Sequence, residues 1–194
     1  GYGEEEKLSE ADRKRLESAL LAARRYADVN AAFADGFRPE DKYGPAMGIH
    51  MHHLGRVFSE ELDAGKPEFL TYVMSKTTGR WQLIQVGYIR RGLKRPQFFD
   101  SPRAVGHFHE ENICVLDADG LLKTRWSTDP CDKPGEVRVG PVWMMHVAVV
   151  VRNPEGLFSD HFVYPDDLSV NGDSYSFYGR AVPPVVSTGT GAGR

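Results

Sequence analysis

Three of the seven histidines in this chain fall within four residues, His50, His52 and His53, with Met47 and Met51 beside them. Neutral imidazole is a ligand for Zn, Cu, Fe and Ni, and thioether sulfur favours soft Cu(I). In a strand, residues i and i+2 project to one face. His50 and His52 therefore converge, and His53 points away. His107 and His109 repeat the arrangement, and His146 interrupts the apolar run 142–151, where an imidazole is costly unless it finds a partner. The expectation is a transition-metal site drawn from His50, His52, His107, His109 and His146. Met47, Met51, Met144 and Met145 lie beside these histidines, which puts copper ahead of zinc, with iron also open. Met144 shares a strand face with His146, whereas alternation puts Met51 opposite His50 and His52. The competing expectation is histidines with separate hydrogen-bond partners and methionines that fill the core.

Other chemistry is thinly represented. Glu110 and Glu111 flank His109, but adjacent strand residues face opposite sides, so at most one points inward. Asp117-x-Asp119-Gly120 lacks the further acidic ligands of a calcium loop and reads as a hairpin turn. There is no G-x-S-x-G elbow, phosphate-binding loop, dinucleotide glycine fingerprint or H-E-x-x-H helix. No catalytic residue and no organic cofactor is assigned. Three function classes stay open: metal binding for delivery, sequestration or sensing; a metal-dependent oxidoreductase or hydrolase using the same ligands; and a metal-free binding or structural module.

The elements that must position these side chains begin with a helix over residues 8–35. Ser9 is its N-cap and Asp12 lies three residues on, a capping box with a shorter acid. Leu16, Leu20, Ala23, Ala27 and Ala34 share one face, Gly36 is the expected residue past the C-terminus, and Pro39 prevents continuation. Residues 37–45 read as a linker, 46–53 as a strand or extended loop, and 58–62 as a short helical turn. Strands follow at 69–74 and 81–89, joined by a turn at 77–79. The basic cluster Arg90, Arg91, Lys94 and Arg95 suits an anion or a lipid headgroup, or is a charged loop. Residues 113–116 and 121–126 form a hairpin about Asp119-Gly120. The apolar run 142–151 suits a strand buried on both faces, and further strands are expected at 157–164 and 175–178. The fold expected is α+β: an N-terminal helix packed on a mainly antiparallel sheet or small β-barrel. It forms one domain over 8–182, between a tether at 1–7 and a tail at 183–194.

A chain of 194 residues with 41% hydrophobic residues can bury a core as one domain. The net charge of −3 offers no footprint for nucleic acid, and no apolar run approaches the length that spans a membrane. Cys114 and Cys131 are either two free thiols or a disulfide of an oxidising compartment.

Four segments carry a resemblance: Met47-Gly48-Ile49-His50; Lys66-Pro67-Glu68-Phe69-Leu70-Thr71-Tyr72; Gln85-Val86-Gly87-Tyr88; and His146-Val147 with Asn153-Pro154-Glu155-Gly156-Leu157-Phe158. Together they resemble a family of exported bacterial proteins with an M-G-x-H-Y segment and a late L-H-V-W…N-P-x-G-x-F segment. The likeness spans roughly residues 20–165. It implies export to the periplasm or the cell exterior and a pairing of His50 with His146, and it brings no activity. Met51 stands where that family has tyrosine, and His52 is additional. A partial pattern, Gly44 with His50 and His52, then Gly135 with Pro141 and His146, is similar to the two cupin motifs. Cupins are small β-barrels that hold Fe, Mn, Ni, Cu or Zn, and many are dioxygenases or isomerases. Arg56 and Val57 stand where the first motif needs glutamate, and Trp143 and Val150 replace a glycine and an asparagine of the second.

Overall fold

The computed structural model describes residues 8–44, 48–75, 78–118 and 120–160, with backbone alone at 42–44. Met47, Thr77, Asp119 and His161, the expected strand at 175–178 and both terminal tethers lie outside the described residues. The architecture is α+β, as expected: among the described residues there are three helices, one of them N-terminal, and a large, mostly antiparallel sheet.

Two helices form where one was expected: α1, Glu10–Arg25, and α2, Val29–Ala34. The break has a local cause. The Tyr72 hydroxyl donates to the Tyr26 carbonyl at 2.6 Å, and the Asn30 amide that would have used that carbonyl donates instead to Asp28, the N-cap of α2. Ala27 is consequently exposed, and α1 buries Ala19, Ala22 and Ala23. Ser9 caps α1 as expected. Asp12, however, is fully buried and accepts from the backbone amides of Asp100 and Ser101, which fastens that loop to the helix. Gly36 takes the left-handed conformation that ends α2, at φ 102°.

The stretch read as a linker is strand β1, Arg38–Gly44, paired antiparallel with β2, Gly48–His52. A single helical turn, α3, Leu54–Val57, follows directly rather than at 58–62. The ladder continues through β3, Phe69–Met74, and β4, Trp81–Arg91. Then come β5, His107–His109, β6, Asn112–Ala118, β7, Leu121–Ser127, β8, Val137–Arg138, and β9, Val142–Val147. The hairpin about residue 120 is present, with Ala118 opposite Leu121. The apolar run 142–151 leaves the sheet after Val147, because the Ala148 amide turns to the carbonyl of Leu157 at 2.9 Å. Residues 157–160 form turns and bends rather than a strand.

The strand order is β5-β9-β4-β3-β2-β1-β7-β6-β8. Its two ends are tied by short links: residues 110–111 join β5 to β6, and 139–141 join β8 to β9. Links that short force the sheet to curl until its ends meet. The ring of His109 on β5 packs against Trp126 on β7 at 4.5 Å between centroids, and the Val139 amide donates to the Ile113 carbonyl. Strand alternation then divides the apolar side chains into two cores. Ile49, Met51, Leu70, Tyr72, Val86, Tyr88, Met145 and Val147 face α1 and α2. Phe69, Ile89, Ile113, Val115, Leu122, Val142 and Met144 face the inside of the curl.

Cys114 and Cys131 are disulfide-bonded, which resolves the choice left by the sequence and ties β6 to the loop after β7. They are 17 residues apart, so the bond restricts a loop of ordinary size in the unfolded chain. Replacing both with serine is expected to lower unfolding free energy by about 3 kcal/mol, read as the shift of a urea midpoint.

Candidate metal centre

The inner face carries a row of direct cross-strand neighbours: His52 on β2, Phe69 on β3, Gly87 on β4 and His146 on β9. The adjoining row is His50, Thr71 and Gln85. Gly87 has no side chain, and the Phe69 ring occupies the space above it: a Cβ there would come 1.9 Å from the Phe69 ring. Held in that notch, the ring contacts three imidazoles, with centroids 5.2 Å from His50, 5.7 Å from His52 and 4.9 Å from His146. Phe69 thus acts as the hub around which these histidines are spaced.

Histidines 50 and 146 meet directly, their Nε2 atoms 3.4 Å apart although they are 96 residues apart in sequence. On the far side of His146, Nδ1 lies 3.3 Å from Asp160 Oδ1. The other oxygen of Asp160 lies 3.0 Å from His107 Nδ1, but out of line with the ring N–H. That nitrogen has no hydrogen-bond partner among the described residues. His107 stacks on His146 with ring planes 12° apart. On the side of His50, His52 Nε2 contacts Glu40 Oε1 from β1. Two ligand-capable groups result, Glu40–His50–His52 and His107–His146–Asp160, and within each the ligand atoms lie within 4.8 Å of one another. The His50–His146 contact joins the two.

The electrostatics keep the central imidazoles neutral. Burial, reinforced by His146, His52 and His107 against the opposing pull of Glu40, pushes the His50 pKa down to about 3. Burial also lowers His146, although Asp160 opposes the shift. For Asp160, burial acts to raise the carboxyl, but the neighbouring imidazoles of His107 and His146 outweigh this and hold it well below the usual carboxylate range. Neutral imidazole with a free lone pair, oriented through its other nitrogen by a carboxylate, is the state in which histidine ligates metal.

Of the expected ligands, His50, His52, His107 and His146 are brought together. His109 belongs to neither group and packs against Trp126 and His107. His53 points away, as parity requires, and caps α3 by accepting the Arg56 amide on Nδ1. Met51 and Met145 lie in the helix-side core, and Met144 lies on the inner face beside His107. Sequence reasoning missed both carboxylates. Glu40 lies in the stretch read as a linker, and Asp160 is brought in by its turn, held where Gln85 donates its amide to the Ser159 carbonyl. Of the basic cluster, Arg90 donates to the Glu60 carbonyl, and Arg91 to those of Val139 and Arg138. Those two arginines are therefore tied into the fold.

Comparison with protein-family models, with curated proteins and with solved structures finds no match. The site is therefore read from its own residues. No helix among the described residues is long and apolar enough to cross a membrane.

Proposed function

We propose that this protein binds a transition-metal ion between His50 and His146, with the remaining ligands drawn from His52, Glu40 and His107, and with Asp160 orienting His146 through Nδ1. The observation that carries the reading is the 3.4 Å between the two Nε2 atoms. Two nitrogens each about 2.0–2.1 Å from one tetrahedral ion are separated by about 3.3–3.4 Å. The donor set is nitrogen and carboxylate oxygen, which suits Zn(II), Fe(II) or Cu(II) better than Cu(I). The copper preference drawn from the methionines loses support, because Met51 and Met145 belong to the other core. An exported, periplasmic or extracellular setting is part of the proposal, and the Cys114–Cys131 bridge supports it.

The test is metal analysis of untagged protein, with thermal shifts on adding Zn(II), Cu(II), Cu(I) or Fe(II). Near-stoichiometric metal is expected, and the His50→Ala/His146→Ala double variant should lose it while keeping its far-ultraviolet circular dichroism. Wild-type protein that neither carries metal nor shifts with any of the four ions would overturn the reading.

A second reading, a metal-dependent oxidoreductase or hydrolase, is favoured by one feature. A cavity of about 30 Å³ adjoins His52 and Glu40 inside the curl, walled by Val57, Ile89, Val115 and Met144 among others. That is room for one or two water-sized molecules. Delivery, sequestration or sensing needs no such space.

A further inference from the structure

Thr71 lies next to His50 across the β2–β3 ladder and next to Gln85 across the β3–β4 ladder, on the inner face. It is fully buried, and its hydroxyl has no hydrogen-bond partner among the described residues. Buried hydroxyls are nearly always paired, and an unpaired one costs stability that a valine of the same shape would not. Packing does not call for threonine here. The methyl branch already fills the space against Gly48, where an added Cβ would lie 3.1 Å from it. The polar branch therefore requires a partner that the described protein atoms do not supply, one strand away from a proposed metal ligand.

We propose that the metal keeps one position for a non-protein ligand, a water or hydroxide replaceable by a small anion, and that Thr71 Oγ1 is the hydrogen-bond partner of that ligand. The proposal rests on the metal reading and deepens it. His50 and His146 give the ion two neutral donors, and the carboxylates of Glu40 and Asp160 balance its charge. A ligand bound beside His50 meets a hydroxyl that can donate to a metal-bound anion or accept from a metal-bound water. A site arranged in this way is open rather than closed, the arrangement that separates metal sites able to act on a small molecule from structural ones. Thr71 is a positioning residue in this account and contributes no ligand atom to the metal.

The test uses the full chain loaded with Co(II), titrated with azide, and followed by the visible absorption of the cobalt. Wild type, Thr71→Val and Thr71→Ser are compared, with thermal melts confirming that each variant folds. All three are expected to take up Co(II) with the same stoichiometry. Thr71→Val should weaken azide binding by roughly tenfold or more, the size of a hydrogen bond to a charged group, and Thr71→Ser should stay within about threefold of wild type. Equal azide affinity in all three proteins overturns the role of Thr71 and leaves the metal reading standing. Loss of Co(II) itself in Thr71→Val also overturns it, by placing the hydroxyl among the supports of the ligands. Failure of the wild type to bind Co(II) defeats this proposal and the metal reading together.

Discussion

Replacing Gly87 with alanine is expected to destabilise the protein by about 3 kcal/mol and to weaken metal binding, although Gly87 offers no ligand atom. The added Cβ would lie 1.9 Å from the Phe69 ring, far inside any tolerated contact. The ring is hemmed in on most sides. It is fully buried, His50, His52 and His146 surround it, and Ile89, Val142 and Met144 belong to the same core. Overpacking of a filled core costs about 1–3 kcal/mol, and this site falls at the top of that range because the clash meets a rigid aromatic ring. Any shift of the ring also moves the three imidazoles that rest on it. The discriminating measurement is a double-mutant cycle by urea unfolding. Phe69→Ala alone should cost about 3–5 kcal/mol through the cavity it leaves. In that background Gly87→Ala should cost almost nothing, because the clash is gone. If Gly87→Ala costs the same with and without Phe69, the notch is not what holds the ring.

That notch shows what was legible in the sequence and what was not. Period-2 alternation placed His50 and His52 on one face and sent His53 to the other, because parity is local and survives folding. The apolar setting of His146 marked it as buried. The α+β class followed from one helical stripe ahead of many short strands. Glu40 was not legible. Arg38-Pro39-Glu40-Asp41-Lys42 is polar and has a proline at its second position, and it becomes a strand only because β2 and β7 pair with it. Asp160 comes from a turn whose placement depends on the bond from Gln85 to Ser159, 74 residues apart. Met51 and Met145 sit near the histidines in sequence and on the opposite face in space, so proximity along the chain overstated the sulfur content of the site. The helix break at Tyr26 was hidden for the same reason: its cause is the hydroxyl of Tyr72, on another element.

Stability of the metal-free protein is expected to peak at about pH 6.5 and to fall on both sides, with Glu68 governing the alkaline limb and the buried histidines together outweighing it on the acid limb. On the alkaline side the group is Glu68, which is buried beneath β4 with its carboxylate accepting the Ile89 amide. Burial raises its pKa to about 8, and the backbone bonds and Arg56 oppose this without outweighing it. A carboxyl whose folded pKa is raised favours the folded state when protonated. Its contribution is complete below the unfolded value of about 4.5 and is lost as pH rises to about 8. Over that window the loss is roughly 5 kcal/mol. On the acid side the leading group is His50, whose folded pKa is depressed to about 3. Its contribution is complete above about 6.5 and is lost as pH falls toward 3, and the lowered values of His146 and His109 steepen the same limb. Urea unfolding in the presence of a chelator, from pH 4.5 to 9, reads both limbs. Glu68→Gln keeps the shape and the acceptor for Ile89 but removes the titration, so its alkaline limb should be flat and its acid limb should steepen between about pH 4.5 and 6.5, where Glu68 opposes the histidines in the wild type. His50→Gln should lower the acid slope by up to about 1.4 kcal/mol per pH unit, one proton's worth, and leave the alkaline limb alone. An alkaline decline as steep in Glu68→Gln as in wild type would assign that limb to another group. An acid limb indifferent to His50→Gln would mean that this imidazole is not held neutral by burial, and the donor pair at 3.4 Å would then lose its readiness to bind metal at neutral pH.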